Sequence, residues 1–307
     1  MDLAVSVRGL TKDFGALQAV KGIDLEVQEG EVLALLGPNG AGKTTTVEIL
    51  EGYQNATGGQ VSVLGLDPQH DRRRMLERVG IVLQETAVEQ FLTVREVLRR
   101  RAAYYPHPRH PDAVIDLVGL GDKTGARVRT LSGGQQRRLD LGLALVGDPE
   151  LLFLDEPTTG FDPNARREAW DIVRSLTGEG RTVLLTTHYM DEAQVLANRV
   201  AVIAKGLIVA TGTPDSIGGR DTGTATIRFA LPEQAGALAD LGLGDVGATL
   251  RTLDGRRMVE IATEAPTALL HAVTSWATAH HVELDGLEVA RPSLEDVYLQ
   301  LTAEDQP

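Results

Sequence analysis

Short apolar runs recur along the first two thirds of the chain: EVLALLG (31–37), RVGIVLQ (78–84), LLFLDE (151–156), TVLLTTH (182–188) and RVAVIAKG (199–206). Each is long enough for one strand, lacks a polar face, and lies between stretches of helical spacing, which is the pattern of parallel strands buried between helices. The opening thirty residues read differently. DLAVSVRGLTKDF and KGIDLEVQEG alternate apolar and polar positions, with turn residues between them. They predict antiparallel strands flanking the parallel core in a mixed sheet.

Strand signals vanish between Gln84 and Leu131, which predicts a helical insert over about residues 85–145. In LTVREVLRRRAAYY, Thr93 stands three positions before Glu96, the spacing of a capping box that satisfies the free amides of a helix start. PHPRHP (106–111) ends that helix, and Pro111 suits the first turn of the next one, PDAVIDLVGLGD. Near residue 220 the pattern changes again, at the turn-rich joint GTPDSIGGRDTG. Beyond it come a strand TATIRF, a helix near 232–240, strands GATLRTL and RMVEIAT, a helix TALLHAVTSWATAHH, a strand VELDGLEVA and a last helix from Ser293. The order βαββαβ predicts a ferredoxin-like sandwich. The expected architecture is thus an α/β domain with a mixed sheet and a helical subdomain over 1–219, followed by a small α+β domain over 220–307.

Composition narrows the function classes. A chain of 307 residues with 42% hydrophobic and 24% charged residues is long enough for two cores and far from the disordered range. A formal charge of −13 excludes broad attraction to nucleic acid, and no nucleic-acid partner is expected. No window approaches 18 uninterrupted apolar residues, and Arg8, Lys12 and Asp13 interrupt the first twenty, so neither a membrane span nor secretion is indicated. The absence of cysteine removes thiolate nucleophiles and disulfides and fits a reducing compartment.

The chemistry is concentrated in a few short stretches. GPNGAGKTT, from Gly37 through Pro38, Asn39, Gly40, Ala41, Gly42, Lys43 and Thr44 to Thr45, follows an apolar strand and opens a helix. Glycines 37, 40 and 42 let backbone amides curl around a β-phosphate, the helix start adds its partial positive charge, Lys43 reaches the β and γ oxygens, and Thr44 holds magnesium. Asp155 ends the strand LLFLD, where ligands sit in open α/β sheets, and is expected to orient magnesium. Glu156, one residue on, is placed to polarise the water that attacks the γ-phosphate. His188 ends another buried strand and is expected at the γ-phosphate. Gln84 ends a third, where its amide meets magnesium and its water. LSGGQ (131–135) sets Ser132 at a helix N-cap, with Gly133, Gly134 and Gln135 in the first turn, forming a second anion-binding helix end. One bound nucleotide has no use for two such ends, so a second chain's nucleotide is its expected ligand.

This set, in this order, resembles the ATP-binding cassette family, the nucleotide-binding subunits of ABC transporters, over residues 1 to about 219. GPNGAGKT looks like Walker A, LLFLDE like Walker B with the catalytic glutamate, LSGGQ like the family signature, and Gln84 and His188 like the Q-loop and H-loop residues. TGFDP resembles the D-loop, carrying over Asp162, with Phe161 where leucine is usual. Phe14 resembles the A-loop aromatic that stacks on adenine, although a lone phenylalanine there also fits a core position. The resemblance implies ATP and Mg²⁺, a head-to-tail dimer of two cassettes in which each signature caps the partner's ATP, a separate integral membrane permease, and a cytoplasmic chain peripheral to the inner face of the membrane. RPSLEDVYLQLT (291–302) is similar to the tail of multidrug-type exporter cassettes of the daunorubicin-resistance subgroup, which implies a homodimer powering efflux of a drug-like or lipophilic substrate.

Arg95, Arg99, Arg100 and Arg101 lie on the insert, where that family docks on its membrane subunits; a solvated helix face is the plain alternative. His107, His110, His280 and His281 lack carboxylates at ligand spacing and predict no metal site. A kinase or GTPase would share only the phosphate loop, and LSGGQ argues against both. A cassette ATPase of DNA repair or translation would carry heptad arms, zinc-binding insertions or a second cassette, features missing from this sequence.

Overall fold

The structure is a computed structural model that describes residues 2–82, 88–220, 224–230, 249–253 and 256–303. Contacts divide the chain into two compact units, Met1–Pro214 and Asp215–Pro307.

In the first unit, β1 (Leu3–Phe14) and β2 (Leu17–Gln28) form an antiparallel hairpin, and β4 (Gly58–Val63) pairs on the other edge of β1. These strands make a sheet of their own, where the sequence pattern predicts a flank of the main one. The alternation gives each strand of the hairpin one dry face and one wet face. The main sheet runs β5-β6-β7-β3-β8-β9 through β3 (Val32–Leu36), β5 (Val79–Val82), β6 (Leu151–Asp155), β7 (Thr182–Thr187), β8 (Arg199–Ala204) and β9 (Leu207–Gly212). All pairs are parallel except β8 with β9, so its mixed character comes from the hairpin into β9. β9 is half-exposed along its length, unlike the buried β3 and β7.

The loops after β3, β6 and β7 all emerge at the carboxyl edge of this sheet, where strand order departs from chain order. Register fixes how closely they meet. Leu36 pairs with Thr187 and Asp155 with Thr186, so the three neighbouring strands end level.

The insert folds into α3 (Val94–Ala102), α4 (Pro111–Leu117) and α5 (Gly133–Leu145). Thr93 and Glu96 form the reciprocal capping box at α3, and Pro111 occupies the first turn of α4. The three helices meet at Gly142, where an added Cβ would stand 3.3 Å from Val114 and 3.6 Å from Leu98. α5 also packs on β5, close enough that a Cβ at Gly80 would come within 2.5 Å of the Ala144 carbonyl.

The second unit is a four-stranded antiparallel sheet in the order β11-β12-β10-β13, from β10 (Ala225–Ala230), β11 (Thr249–Leu253), β12 (Arg256–Thr263) and β13 (Glu288–Ala290). Counted within the unit this is 2-3-1-4, the ferredoxin-like order. α8 (Pro266–Ala279) covers one face, burying Leu269, Val273 and Ala277 against Ile227, Phe229, Val259 and Ile261. The helix expected near 232–240 lies outside the described residues. The strand expected over 282–290 is confined to Glu288–Ala290, because Val282 donates its amide back to Ala277 O and Leu284 turns into the core under α8. The turn Ile217–Gly219 packs on α9 (Leu294–Ala303), and Arg220 Nε donates to Pro292 O (2.9 Å).

Phe153, fully buried on β6, is among the largest side chains of the main core. Phe153→Ala is expected to lower stability by about 3–5 kcal/mol, read as a shift in the denaturant midpoint with unchanged slope.

Candidate nucleotide site

The loop 37–42 leaves β3 and enters α1 (Lys43–Leu50), with Gly40 and Gly42 at φ +80° and +107°. Gly37 has another reason to be glycine: a Cβ would fall 2.3 Å from the carbonyl of Ile203 on β8. Gly42 caps α1 without any side-chain hydrogen bond, so the first turn presents its amides bare, as an anion cradle requires. Pro38, Asn39 and Gly40 are exposed, Ala41 is buried, Thr44 is exposed at the first turn and Thr45 is half-buried. Lys43 lies back over the loop, Nζ donating to Gly37 O (2.7 Å) and Pro38 O (3.1 Å). Burial lowers its pKa, while the charges of Glu156 and Asp155 act to raise it.

Those two acids come from β6. Thr186 on β7 donates its hydroxyl to Asp155 Oδ1. Glu156 adopts φ +46°, a left-handed conformation that costs about 1–3 kcal/mol for a residue other than glycine. Its amide is held by Thr186 O (3.1 Å) and Thr186 Oγ1 (3.2 Å). Its carboxylate is held at both oxygens, with His188 Nδ1 3.1 Å from Oε1 and Thr159 Oγ1 donating to Oε2 at 3.1 Å. Lys43, Asp155, Glu156 and His188 therefore converge at the level ends of β3, β6 and β7. Thr159 carries no signal of its own in the sequence, whereas Thr186 is a threonine near the end of a buried, largely apolar run.

The remaining candidates lie further out. Phe14 ends β1, 45% exposed with Lys12 Nζ 4.9 Å from its ring centre, so it is not a core residue. Asp162 caps α6 (Pro163–Gly178) by accepting from the amides of Asn164 and Ala165. Ser132 caps α5 in a box with Gln135, and Gly133 is exposed beside it. Among the described residues no hydrogen bond joins this helix end to the Lys43 loop.

 Gln84 lies outside the described residues. Of Arg95, Arg99, Arg100 and Arg101, Arg95 pairs with Asp112 (2.7 Å) and Arg100 with Glu89 (2.8 Å).

One further acid near the site belongs to none of the sequence motifs. Glu51 follows α1 and is 1% exposed, four residues beyond the buried Val47, at a position where helical spacing calls for an apolar side chain. Burial, then the neighbouring charges of Asp155 and Glu48, push its carboxyl from 4.5 up to about 8.

A phosphate-binding loop at the centre of a parallel sheet, an acidic pair on the adjoining strand system, a helical insert and a capped glycine pair opening its last helix define a cassette-type ATPase. Residues 20–159 match the family described as ABC transporter, and residues 225–293 match the one described as ABC transporter domain-containing protein-like, C-terminal domain. The chain belongs to the ABC transporter family, as an ATP-binding subunit that hydrolyses ATP. It is 39% identical to the daunorubicin resistance ATP-binding protein DrrA3 of Streptomyces coeruleorubidus, across 99% of this chain and 98% of that one. It is 33% identical to the linearmycin resistance ATP-binding protein LnrL of Bacillus subtilis, across 97% and 98%. The cassette fold is shared with a dimeric ATP-binding cassette solved in a post-hydrolysis state bound to ADP and Pi, at a TM-score of 0.60 and 24% identity over 68% of this chain and 98% of that one.

The raised pKa of Glu51 carries a sign. The folded chain holds this proton more tightly than the unfolded chain does, so the stability it contributes is lost as pH rises from about 4.5 through about 8. Glu51→Gln, which mimics the protonated acid, is expected to match the parent at pH 5 and to exceed it at pH 9 by on the order of 4 kcal/mol, measured by denaturant unfolding at both values.

Proposed function

We propose that this chain powers an exporter of drug-like or lipophilic compounds, as a homodimer docked on a separate integral membrane permease at the inner face of the membrane. The observation that carries the ATPase site is the convergence of Lys43, Asp155, Glu156 and His188 at the ends of three adjacent strands. The resistance functions in the names of the two relatives support the cargo class. On this reading residues 1–219 are the ATPase and residues 220–307 an accessory domain.

Each residue then has a task. Phe14 stacks on adenine, the amides of 37–45 enclose the phosphates, and Lys43 exchanges its bonds to the loop carbonyls for the β and γ oxygens. An exposed hydroxyl at Thr44 and a carboxylate at Asp155 are the hard oxygen donors that suit magnesium, and Gln84 is assigned beside them. Magnesium, when bound, offsets the phosphate charge. Glu156 accepts the proton of the attacking water, while His188 and Thr159 fix the direction of its carboxylate and His188 contacts the γ-phosphate. Ser132, Gly133, Gly134 and Gln135 serve the partner's nucleotide, and Asp162 shapes the loop beside it.

Among the described residues no helix is long and apolar enough to cross a membrane, and on this reading the permease provides the path across it. A groove of about 900 Å³ beside the insert offers the docking surface, with Tyr53, Arg72, Arg100, Arg101, Tyr104 and Tyr105 in its lining.

Glu156→Gln is expected to bind MgATP and hydrolyse it about 10²–10⁴-fold more slowly, whereas Lys43→Ala weakens nucleotide binding itself. Near-normal turnover in Glu156→Gln removes the base assignment. The shared site has its own test, in a Glu156→Gln background with ATP-dependent dimer trapping as the readout. Lys43→Ala and Ser132→Arg chains each damage both sites of their homodimers, but a mixed dimer keeps one intact loop facing one intact helix end. Trapping by the mixture should exceed that of either variant alone. No gain, with mixed dimers shown by differential tagging, places the helix end in its own chain's service.

A further inference from the structure

α7 (Met190–Leu196) starts two residues after His188 and carries Glu192 in its first turn. That side chain is fully buried, among the least expected places for a carboxylate in a short helix. Its Oε1 accepts two hydrogen bonds, from Thr158 Oγ1 (2.9 Å) and from Trp170 Nε1 on α6 (3.1 Å). Thr158 is itself 1% exposed and lies between Glu156 and Asp162. Burial raises the Glu192 pKa, with the bonds from Thr158 and Trp170 opposing the rise.

The consequence lies one residue further on. Thr159, next to the anchored Thr158, donates to Glu156 Oε2, and His188, just ahead of α7, meets Glu156 Oε1. Phe161 N donates to Thr158 O, which sets the path toward Asp162. Glu192 thus holds the turn that carries Thr159 and stands on the helix that follows His188, without touching Glu156 itself. We propose that Glu192, through Thr158, is a positioning residue that sets the orientation of the Glu156 carboxylate for water activation, resting on the assignment of Glu156 as the base. Its function is as a hydrogen-bond acceptor tying α7 and α6 to the turn 157–161. A purely structural buried acid would affect folding and leave the turnover of the folded enzyme alone.

The test compares Thr158→Val, which keeps the shape and removes the hydroxyl, with Thr158→Ser, which keeps the hydroxyl. Glu192→Leu and Glu192→Gln form the matching pair. Steady-state ATP hydrolysis by the full chain is measured with affinity for a fluorescent ATP analogue and with thermal unfolding to confirm folding. Thr158→Val is expected to lower kcat about tenfold, the loss of one hydrogen bond, with KM and analogue affinity within about twofold of the parent. Thr158→Ser and Glu192→Gln should recover most of kcat, and Thr158→Val combined with Glu192→Leu should lose no more than the larger single change. If Glu192→Leu does not fold, the Thr158 pair decides alone. Parent-like kcat in folded Thr158→Val, or a fall in affinity that matches the fall in kcat, overturns the proposal. Failure of the base assignment shows separately, as normal turnover by Glu156→Gln; failure of the tie shows as an unimpaired Thr158→Val while Glu156→Gln stays inactive.

Discussion

A buried ammonium dictates most of what surrounds it. Lys43 is 6% exposed, and a cation taken that far out of water is tolerated only when acceptors replace its hydration. Two loop carbonyls do so, and the charges of Glu156 and Asp155 favour the cation as well. The carbonyls need the loop to close tightly, which fixes glycine at 37 against β8. The carboxylates need β6 and β7 to end level with β3, which only their parallel register provides. The same arrangement suits the proposed phosphate site, since the cation can trade carbonyl oxygens for phosphate oxygens with the two acidic charges still nearby.

Strain is placed on the opposite side of the site. Glu156 is the one member of the convergent group with a left-handed backbone, and the bonds that hold it come from Thr186, Thr159 and His188 instead of from its own strand. A conformation that costs energy persists when neighbours over-determine it. Here they also fix where the carboxylate points. Orientation is therefore a property of three segments, which explains how a residue as remote as Glu192 acquires leverage over it.

Strand runs, the Thr93–Glu96 box, Pro111 and the Ser132 cap were legible because each is a local signal that tertiary packing has no reason to overrule. The independence of the antiparallel sheet was not, since alternation tells which face is wet and not which strands are neighbours. VELDGLEVA reads as one strand by composition, yet the core under α8 claims Leu284 and leaves three residues for pairing. Glu51, Thr158, Thr186 and Glu192 were illegible for one common reason. A polar residue on a short helix or strand end looks solvated until the element that covers it is known.

The glycines of LSGGQ follow a different logic from those of the phosphate loop. Four amides open the α5 helix, at Ser132, Gly133, Gly134 and Gln135, and each needs an acceptor. The capping box serves the first and last of them, with Ser132 N donating to Gln135 Oε1 and Gln135 N to Ser132 Oγ. The two amides between belong to the two residues without side chains. Neither glycine is required by its own chain: neither has a positive φ, a Cβ on Gly133 would meet nothing within 4 Å, and one on Gly134 would stand 3.8 Å from Ala165. Glycine in a helix costs about 0.5–1 kcal/mol relative to alanine, so a pair at this helix start is a loss that intramolecular packing leaves unexplained. What glycine supplies and alanine does not is bare approach to the backbone, which matters to a ligand arriving from outside the chain. The α1 helix start already presents uncapped amides within the proposed phosphate site of this chain. The spare donors on α5 are therefore what the proposed shared site, with a nucleotide held by a second copy, requires.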